Sequence, residues 1–221
     1  MTLIIAEIGV NHNGDINLAK KLIETAYKCG ADVAKFQLFR SDELSCKNSP
    51  KADYQSLTTN PDESQYEMLK KLELSVQEIK FLKEECIKVG IEFLCTPFDL
   101  ASLKILQNLG VNMLKIPSGE INNYPLLKEV GRLNKKIILS TGMSSLGEIE
   151  EALNILEDAG THKKQITILH CTTEYPAPFQ EVNLQAINTL KQSFKISVGY
   201  SDHTEGIIIP IAATAIGAKI I

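Results

Sequence analysis

The sequence predicts a (β/α)8 barrel, the fold in which eight parallel strands alternate with crossover helices. Two observations predict it: short runs rich in Ile, Val and Leu recur eight times along the 221 residues, and amphipathic helical patterns lie between them. A third observation disfavours an open doubly wound sheet, because the glycine fingerprint GxGxxG of dinucleotide-binding folds is absent.

The predicted strands are almost continuously apolar, as expected for strands buried on both faces of a parallel sheet. In chain order they are "LIIAEIG" from Leu3, "DVAKFQ" from Asp32, "EFLCT" from Glu92, "NMLKIPSG" from Asn112, "KIILSTG" from Lys136, "ITILHC" from Ile166, "KISVGY" from Lys195 and "AKII" from Ala218. Because the eighth run comprises only the last four residues, we expect the chain to stop inside its eighth strand.

The helical patterns carry start and stop signals. "INLAKKLIETAYKCG" follows the first strand and ends at Gly30, and "SSLGEIEEALNILEDAG" follows the fifth. "SVQEIKFLKEECIKVG" has Ser75 as a candidate N-cap and Gly90 as a stop. After the seventh strand, we expect a helix to start at Thr204 within "SDHTEG".

One interval is longer than the others and predicts an inserted loop. It runs from Ser41 to Ser75, is polar, holds Pro50 and Pro61, and contains the helical pattern "ESQYEMLKKL".

Composition indicates one globular domain spanning residues 1–221, incomplete at its C-terminal end. The net charge of −4 shows no basic excess, which argues against a nucleic-acid partner. We find no 18-residue apolar run and no signal peptide, so we expect a cytoplasmic protein that does not span a membrane. The five cysteines have no CxxC spacing and lie mostly in apolar segments, which predicts reduced, mostly buried thiols rather than disulfides or a zinc site.

Polar and charged residues follow the predicted strands at the end where barrel enzymes place their active sites. Burying such groups is costly unless a ligand or partner compensates them, so their recurrence on seven strands predicts a site. The residues are Glu7, Lys35, Gln37, Thr96, Lys115, Ser118, Glu120, Ser140, Thr141, His170, Thr172, Thr173, Tyr175, Ser201, Asp202 and His203.

The residue types indicate an anionic ligand. The two lysines, with the hydroxyls of Ser118, Ser140 and Ser201, would suit a phosphate and a carboxylate. Glu7 and Glu120 could accept hydrogen bonds from sugar hydroxyls or act as acid or base.

Each of these signals also has a structural interpretation. Either lysine could extend its ammonium to solvent from the rim. Ser140 and Thr141 could cap the next helix, His170 could be a hydrogen-bonded core histidine, and "SDH" could be only a turn plus a cap.

Seven motifs occur in an order that resembles the sialic acid synthase family, which comprises N-acetylneuraminate, legionaminic acid and pseudaminic acid synthases. They are "IAEIGVNHNGD", "AKFQ", "CTPFD", "KIPSGE", "ILSTGM", "LHCTTEYPAP" and "GYSDHTEG". The resemblance covers essentially the whole chain, and its specificity lies in the ordered set rather than in any single motif.

The resemblance implies an enzyme that condenses phosphoenolpyruvate with an N-acetylated amino sugar such as N-acetylmannosamine, giving a nine-carbon 2-keto sugar acid and phosphate. It implies a divalent Mn²⁺ or Mg²⁺ cofactor and a homodimer for the full-length protein. The catalytic residues would be Glu7, Lys115 and Glu120, and the metal ligand would be His203. The substrate-binding residues would be Lys35, Gln37, Thr96, Ser118, Ser140, Thr173, Tyr175 and Ser201.

Two departures from the family pattern bear on activity. Many members have asparagine where this chain has Thr173, and a hydroxyl offers fewer donors than an amide. The family's second metal histidine follows a run like "GAKII" in an E-[KR]-H pattern, whereas this chain ends at Ile221, and the antifreeze-like C-terminal domain is also absent. We therefore expect this chain to bind the metal weakly and to catalyse the reaction poorly. A version extended through that histidine should bind Mn²⁺ more tightly.

Two other functions remain open from the sequence. The chain could be a catalytically impaired barrel fragment that only binds a ligand or a partner. It could also be another phosphoenolpyruvate-condensing barrel that acts on a plain sugar phosphate, although "NHNGD", "SGE" and "SDHT" argue against that.

Overall fold

Short strands alternate with helices throughout the computed structural model, which describes residues 1–56, 59–60 and 62–221. The strands are β1 (Ile5–Gly9), β2 (Val33–Leu38), β3 (Glu92–Pro97), β4 (Met113–Ile116), β5 (Lys136–Ser140), β6 (Ile166–His170) and β7 (Ser197–Tyr200). The helices are α1 (Ile16–Lys28), α2 (Ser41–Leu44), α3 (Asp53–Ser56), α4 (Gln65–Leu72), α5 (Val76–Val89), α6 (Leu100–Asn108), α7 (Tyr124–Arg132), α8 (Leu146–Ala159), α9 (Ala186–Phe194) and α10 (Ile208–Ala215). Short 3-10 turns lie at Ser118–Glu120, Lys163–Gln165 and Phe179–Glu181.

The chain divides into two compact units, and the first comprises Ala6–Gly110. Its sheet has the order β1-β2-β3, and β2 pairs with β3 in parallel. Phe36 of β2 is fully buried and stacks on Phe93 of β3 with ring centroids 5.7 Å apart. Burying a side chain of this size contributes about 1.5–3 kcal/mol, so the apolar strand interior stabilises this unit.

The second unit comprises Met1–Ile5 and Val111–Ile221. Its sheet has the order β4-β5-β6-β7, and each neighbouring pair is parallel. All four residues of β4 are buried, Lys115 among them, and the other three are apolar, as expected for a strand covered on both faces. The carboxyl ends of four parallel strands therefore lie along one edge of this sheet.

The predicted eighth strand is present as a short extended segment at residues 219–221. Tyr200 N–H donates to the Ile220 carbonyl at 2.8 Å, and Leu3 N–H donates to the Lys219 carbonyl at 2.9 Å. The segment thus hydrogen-bonds to β7 on one side and to the first residues of the chain on the other. It forms only one ladder bridge, Leu3 with Ile220, and so is shorter than the strand predicted from Ala218.

The predicted helix boundaries on α5 and α8 follow from capping chemistry. Ser75 and Ser145 each accept from the backbone three residues on, and Glu78 and Glu148 reach back to the cap N–H groups. Gly90 ends α5 in the left-handed conformation with φ +85°. The N-cap and stop predicted for α5 are confirmed.

The predicted helix start at Thr204 is wrong. Asp202 Oδ1 accepts from both the Thr204 N–H, at 3.0 Å, and the Thr204 hydroxyl, at 2.8 Å, which closes a local turn. The helix α10 begins only at Ile208, after Gly206 at φ +86°.

The inserted interval from Ser41 to Ser75 contains α2, α3 and α4, and the predicted helix "ESQYEMLKKL" is confirmed as Gln65–Leu72. Pro61 lies outside the described residues. Throughout the part of the chain that the structure describes, no helix combines the length and the apolar character needed to cross a membrane.

Candidate active site

The first unit places four predicted site residues on three adjacent strands. Lys35 of β2 forms an ion pair with Glu7 of β1, and the side chains of these two residues are 12% and 48% exposed. Gln37 lies beside Thr96 in the β2–β3 register. The Thr96 hydroxyl is buried and has no hydrogen-bond partner among the described residues. A polar group buried in this way favours a bound ligand or water at this end of β3.

In the second unit, Lys115 is buried, with 5% of its surface exposed. Its ammonium donates to the Ser140 hydroxyl at 2.7 Å and to the Ile116 carbonyl at 2.8 Å. The alternative in which this lysine extends to solvent is therefore wrong. Because β4 and β5 are neighbours, the structure fixes a cation and a hydroxyl together at the sheet edge.

A second hydroxyl cluster forms around Ser118. Gly142 N–H donates to Ser118 Oγ at 2.9 Å, and Cys171 Sγ lies 3.3 Å from the same oxygen. Gly142 follows β5 and Cys171 follows β6, so one serine hydroxyl ties together residues that follow three adjacent strands.

Gly142 packs too closely for any side chain. A Cβ atom there would lie 2.5 Å from Thr173 Cγ2 and 3.0 Å from both Cys171 Sγ and Ser118 Oγ. The close approach places the predicted site residue Thr173 against the Ser118 cluster.

Gly142→Ala should lower the free energy of unfolding by about 1–3 kcal/mol, because the added methyl overpacks this cluster. The measurement is urea unfolding of both chains. Gly147→Ala is the matched control, since the nearest atom to its Cβ would be 3.9 Å away and alanine is favoured in the α8 helix. An unfolding midpoint for Gly142→Ala equal to that of the unsubstituted chain would contradict the packing described here.

His203 is oriented by a backbone carbonyl. Its Nδ1 lies 2.5 Å from the Thr172 carbonyl oxygen, and its ring lies 4.1 Å from the Tyr175 ring at an interplanar angle of 34°. An imidazole that donates from Nδ1 carries its lone pair on Nε2, which is the arrangement of a metal-ligating histidine. His203 could therefore supply one ligand to a cation. Among the described residues, no group of three or more His, Cys, Asp and Glu side chains is arranged to hold a metal ion.

Asp202 has the turn-forming role that the sequence allowed for in "SDH". Its carboxylate caps the turn at Thr204 and lies beside Tyr200, which is fully buried. Burial, followed by the neighbouring Asp202 charge, raises the pKa of the Tyr200 phenol. The neighbouring Ser201 is anchored through its backbone, whose N–H donates to the His170 carbonyl at 2.9 Å.

Glu120 lies in the 3-10 turn after β4 and accepts a hydrogen bond from Asn123 Nδ2 at 2.6 Å. Asn123 also caps α7 through its side-chain oxygen, which fixes the amide that holds the carboxylate. His170 has the structural role that the sequence allowed for it, because its Nε2 bonds to the Val182 carbonyl at 2.9 Å.

The alternative in which Ser140 or Thr141 caps the next helix is wrong. Ser145 is the N-cap of α8, Thr141 donates to the Leu169 carbonyl at 3.1 Å, and Ser140 accepts from Lys115.

Sequence reasoning missed three residues that shape these clusters: Gly142, Cys171 and Asn123. Cys171 was among the thiols predicted to be mostly buried, and it is 5% exposed. Their positions in the sequence could have identified two of them, because Gly142 and Cys171 follow within two residues of strand ends that carry other site residues.

The arrangement in the second unit suits an anion. A buried ammonium and several hydroxyl and backbone donors lie at one edge of its sheet. In such sites, fixed donors bind phosphate and carboxylate oxygens strongly because water is largely excluded.

Comparison with known proteins gives one family. Residues 22–221 match the model described as the NeuB family. The chain is 59% identical over 220 residues to an N,N'-diacetyllegionaminic acid synthase of Campylobacter jejuni, covering 100% of this chain and 66% of that protein. It is 35% identical to the N-acetylneuraminate-9-phosphate synthase of Mus musculus, covering 99% of this chain and 60% of that protein.

A solved structure confirms the fold class predicted from the sequence. The N-acetylneuraminic acid (sialic acid) synthetase of Leptospira borgpetersenii matches with a TM-score of 0.87 and 37% identity, covering 99% of this chain and 71% of that one. The resemblance to sialic acid synthases and the (β/α)8 prediction are thus both confirmed. The chain spans about two thirds or less of the curated relatives named here.

Proposed function

This chain belongs to the NeuB family, and from that premise we propose that it carries the phosphoenolpyruvate site of a synthase that makes nine-carbon 2-keto sugar acids. The observation that carries the proposal is the buried Lys115 ammonium, held against Ser140 beside the Ser118 cluster. A fixed, buried cation with adjacent hydroxyls is the arrangement that a phosphate or carboxylate oxygen needs.

The proposed reaction balances with phosphoenolpyruvate, an aldehyde sugar and water as its only reactants. Carbon 3 of phosphoenolpyruvate attacks the aldehyde carbon of the open-chain sugar, which forms the new carbon–carbon bond. Water adds at carbon 2, and the bond between carbon 2 and the phosphate oxygen breaks. The products are the 2-keto acid and inorganic phosphate.

Residues of this chain would bind and orient the substrates. Lys115, Ser118, Ser140 and Ser201 would hold the anionic groups of phosphoenolpyruvate, with Lys35, Thr96 and Thr173 as further contacts. Gln37, Glu120 and Tyr175 would contact the sugar. Glu7, whose carboxylate is held by Lys35, would move a proton at the reacting oxygen.

His203 would hold a divalent cation, Mn²⁺ or Mg²⁺, through Nε2, because its Nδ1 is occupied by the Thr172 carbonyl. When bound, such a cation supplies Lewis-acid polarisation of the sugar aldehyde.

The proposed acceptor is a 2,4-diacetamido sugar rather than N-acetylmannosamine or its 6-phosphate. Two relatives, 59% and 46% identical to this chain, are N,N'-diacetyllegionaminic acid synthases, whereas the neuraminate-9-phosphate synthase is 35% identical. We further propose a cytoplasmic enzyme in which residues 1–221 belong to one catalytic domain, and a homodimer for the full-length protein.

Mass spectrometry of the products tests the acceptor. The chain is incubated with phosphoenolpyruvate, Mn²⁺ and either a 2,4-diacetamido hexose, N-acetylmannosamine or N-acetylmannosamine 6-phosphate. We expect the 2-keto acid of the diacetamido sugar to form fastest. Faster conversion of N-acetylmannosamine would overturn the acceptor assignment, and a product only from the phosphorylated sugar would place the chain with the 9-phosphate synthases.

A further inference from the structure

The thiol of Cys171 makes a contact that the proposed roles do not use. Its sulfur lies 3.3 Å from Ser118 Oγ, within the distance of a hydrogen bond that involves sulfur, and the residue is 5% exposed. Ser118 Oγ also accepts the Gly142 N–H at 2.9 Å. Two residues that follow neighbouring strands, Gly142 and Cys171, therefore fix the Ser118 hydroxyl oxygen.

The hydrogen-bonding capacity of a serine decides the direction of this contact. A hydroxyl has one donor and two acceptor lone pairs, and the Gly142 N–H occupies one of the lone pairs. Sulfur is a weak acceptor, whereas a phosphate or carboxylate oxygen is a strong one. With an anion bound, the Ser118 proton therefore goes to the anion, and the thiol proton fills the second lone pair of Ser118.

We infer that Cys171 is a positioning residue that donates its S–H to Ser118 Oγ and so directs the Ser118 hydroxyl toward the bound anion. The inference rests on the proposed phosphoenolpyruvate site for the identity of that anion. It concerns a thiol that does not touch the substrate and takes no part in bond making.

The surroundings allow the thiol to be removed without a large packing defect. Cys171 lines a cavity of about 340 Å³ together with Thr141, Leu146, His170 and Leu190. Cys171→Ala therefore enlarges an existing space rather than opening a new one in a close-packed core. Cys171→Ser is a second variant, because the C–O bond is shorter than the C–S bond and so places the oxygen farther from Ser118 Oγ than the sulfur is.

Binding of phosphoenolpyruvate, measured by equilibrium dialysis, is the first test. We expect Cys171→Ala and Cys171→Ser to weaken binding about two- to fivefold, the size of one weak hydrogen bond. Cys86→Ala removes another buried thiol, on α5, and should leave binding unchanged. Affinities for both Cys171 variants equal to that of the unsubstituted chain would overturn the inference.

The second test is the frequency of the S–H stretching band in Raman difference spectra, a measurement that does not depend on enzyme activity. Subtracting the Cys171→Ala spectrum isolates the Cys171 band, which lies at lower frequency when the thiol donates a hydrogen bond. We expect the band to move to higher frequency in Ser118→Ala. A band that does not move would overturn the inference, even if the chain binds phosphoenolpyruvate. If the band moves but the unsubstituted chain does not bind phosphoenolpyruvate, the result counts against the proposed function alone.

Discussion

Lys115→Met should weaken phosphoenolpyruvate binding by about 30- to 150-fold, which is the loss of about 2–3 kcal/mol from one charged hydrogen bond in a buried site. Methionine retains the length and apolar stem of lysine but has no ammonium to place beside Ser140, where Lys115 Nζ now donates at 2.7 Å. Equilibrium dialysis with phosphoenolpyruvate gives the affinity, and circular dichroism shows whether the fold is retained.

The matched control is Lys136→Met on the neighbouring strand. Lys136 is the exposed first residue of β5, opposite Met113, so it lies at the other end of the sheet from Ser140. The Lys136→Met variant should bind phosphoenolpyruvate with the same affinity as the unsubstituted chain. If the affinity of Lys115→Met lies within about threefold of the control, the loss is smaller than that of one charged hydrogen bond. Such a result would show that this ammonium does not bind the anion.

Gly199→Ala should destabilise the chain by about 3 kcal/mol or more, because overpacking against backbone cannot relax by side-chain rotation. A Cβ at this position of β7 would lie 2.5 Å from the Ile220 carbonyl oxygen and 2.6 Å from Leu169 Cδ2. The Ile220 carbonyl accepts from Tyr200 N–H, so the substitution would push the terminal segment away from β7. The measurement is the shift in the urea midpoint at constant slope.

Gly147→Ala again provides the control, since it adds the same methyl in open space on α8 and should be neutral or stabilising. The pairing of residues 219–221 with β7 would be in doubt if Gly199→Ala unfolded at the same urea concentration as that control.

The apolar strands and capped helices could be predicted from the sequence because their signals are local. Ser75 with Glu78 forms a complete capping box, and the three apolar residues of β4 indicate a strand buried on both faces. The start of α10 could not be predicted, because Asp202 binds the Thr204 N–H and closes a turn where a helix start was expected.

The site was predicted by residue type and strand position, but its contacts depend on which atoms tertiary packing brings together. The link between Lys115 and Ser140 spans 25 positions in sequence, and the one between Ser118 and Cys171 spans 53. Cys171 carried no polar signal in the sequence, so a buried thiol was the natural interpretation. The carbonyl of Thr172 that orients His203 belongs to the backbone and has no side-chain signature.

Phosphate release from phosphoenolpyruvate tests the central claim most directly. The chain is assayed with Mn²⁺ and a 2,4-diacetamido hexose, without the sugar, and with a chelator, and Lys115→Met serves as the site control. The account predicts slow release that requires both the sugar and the cation and is lost in Lys115→Met. Release that is independent of the sugar, or no release although the chain binds phosphoenolpyruvate, would contradict synthase activity in this chain.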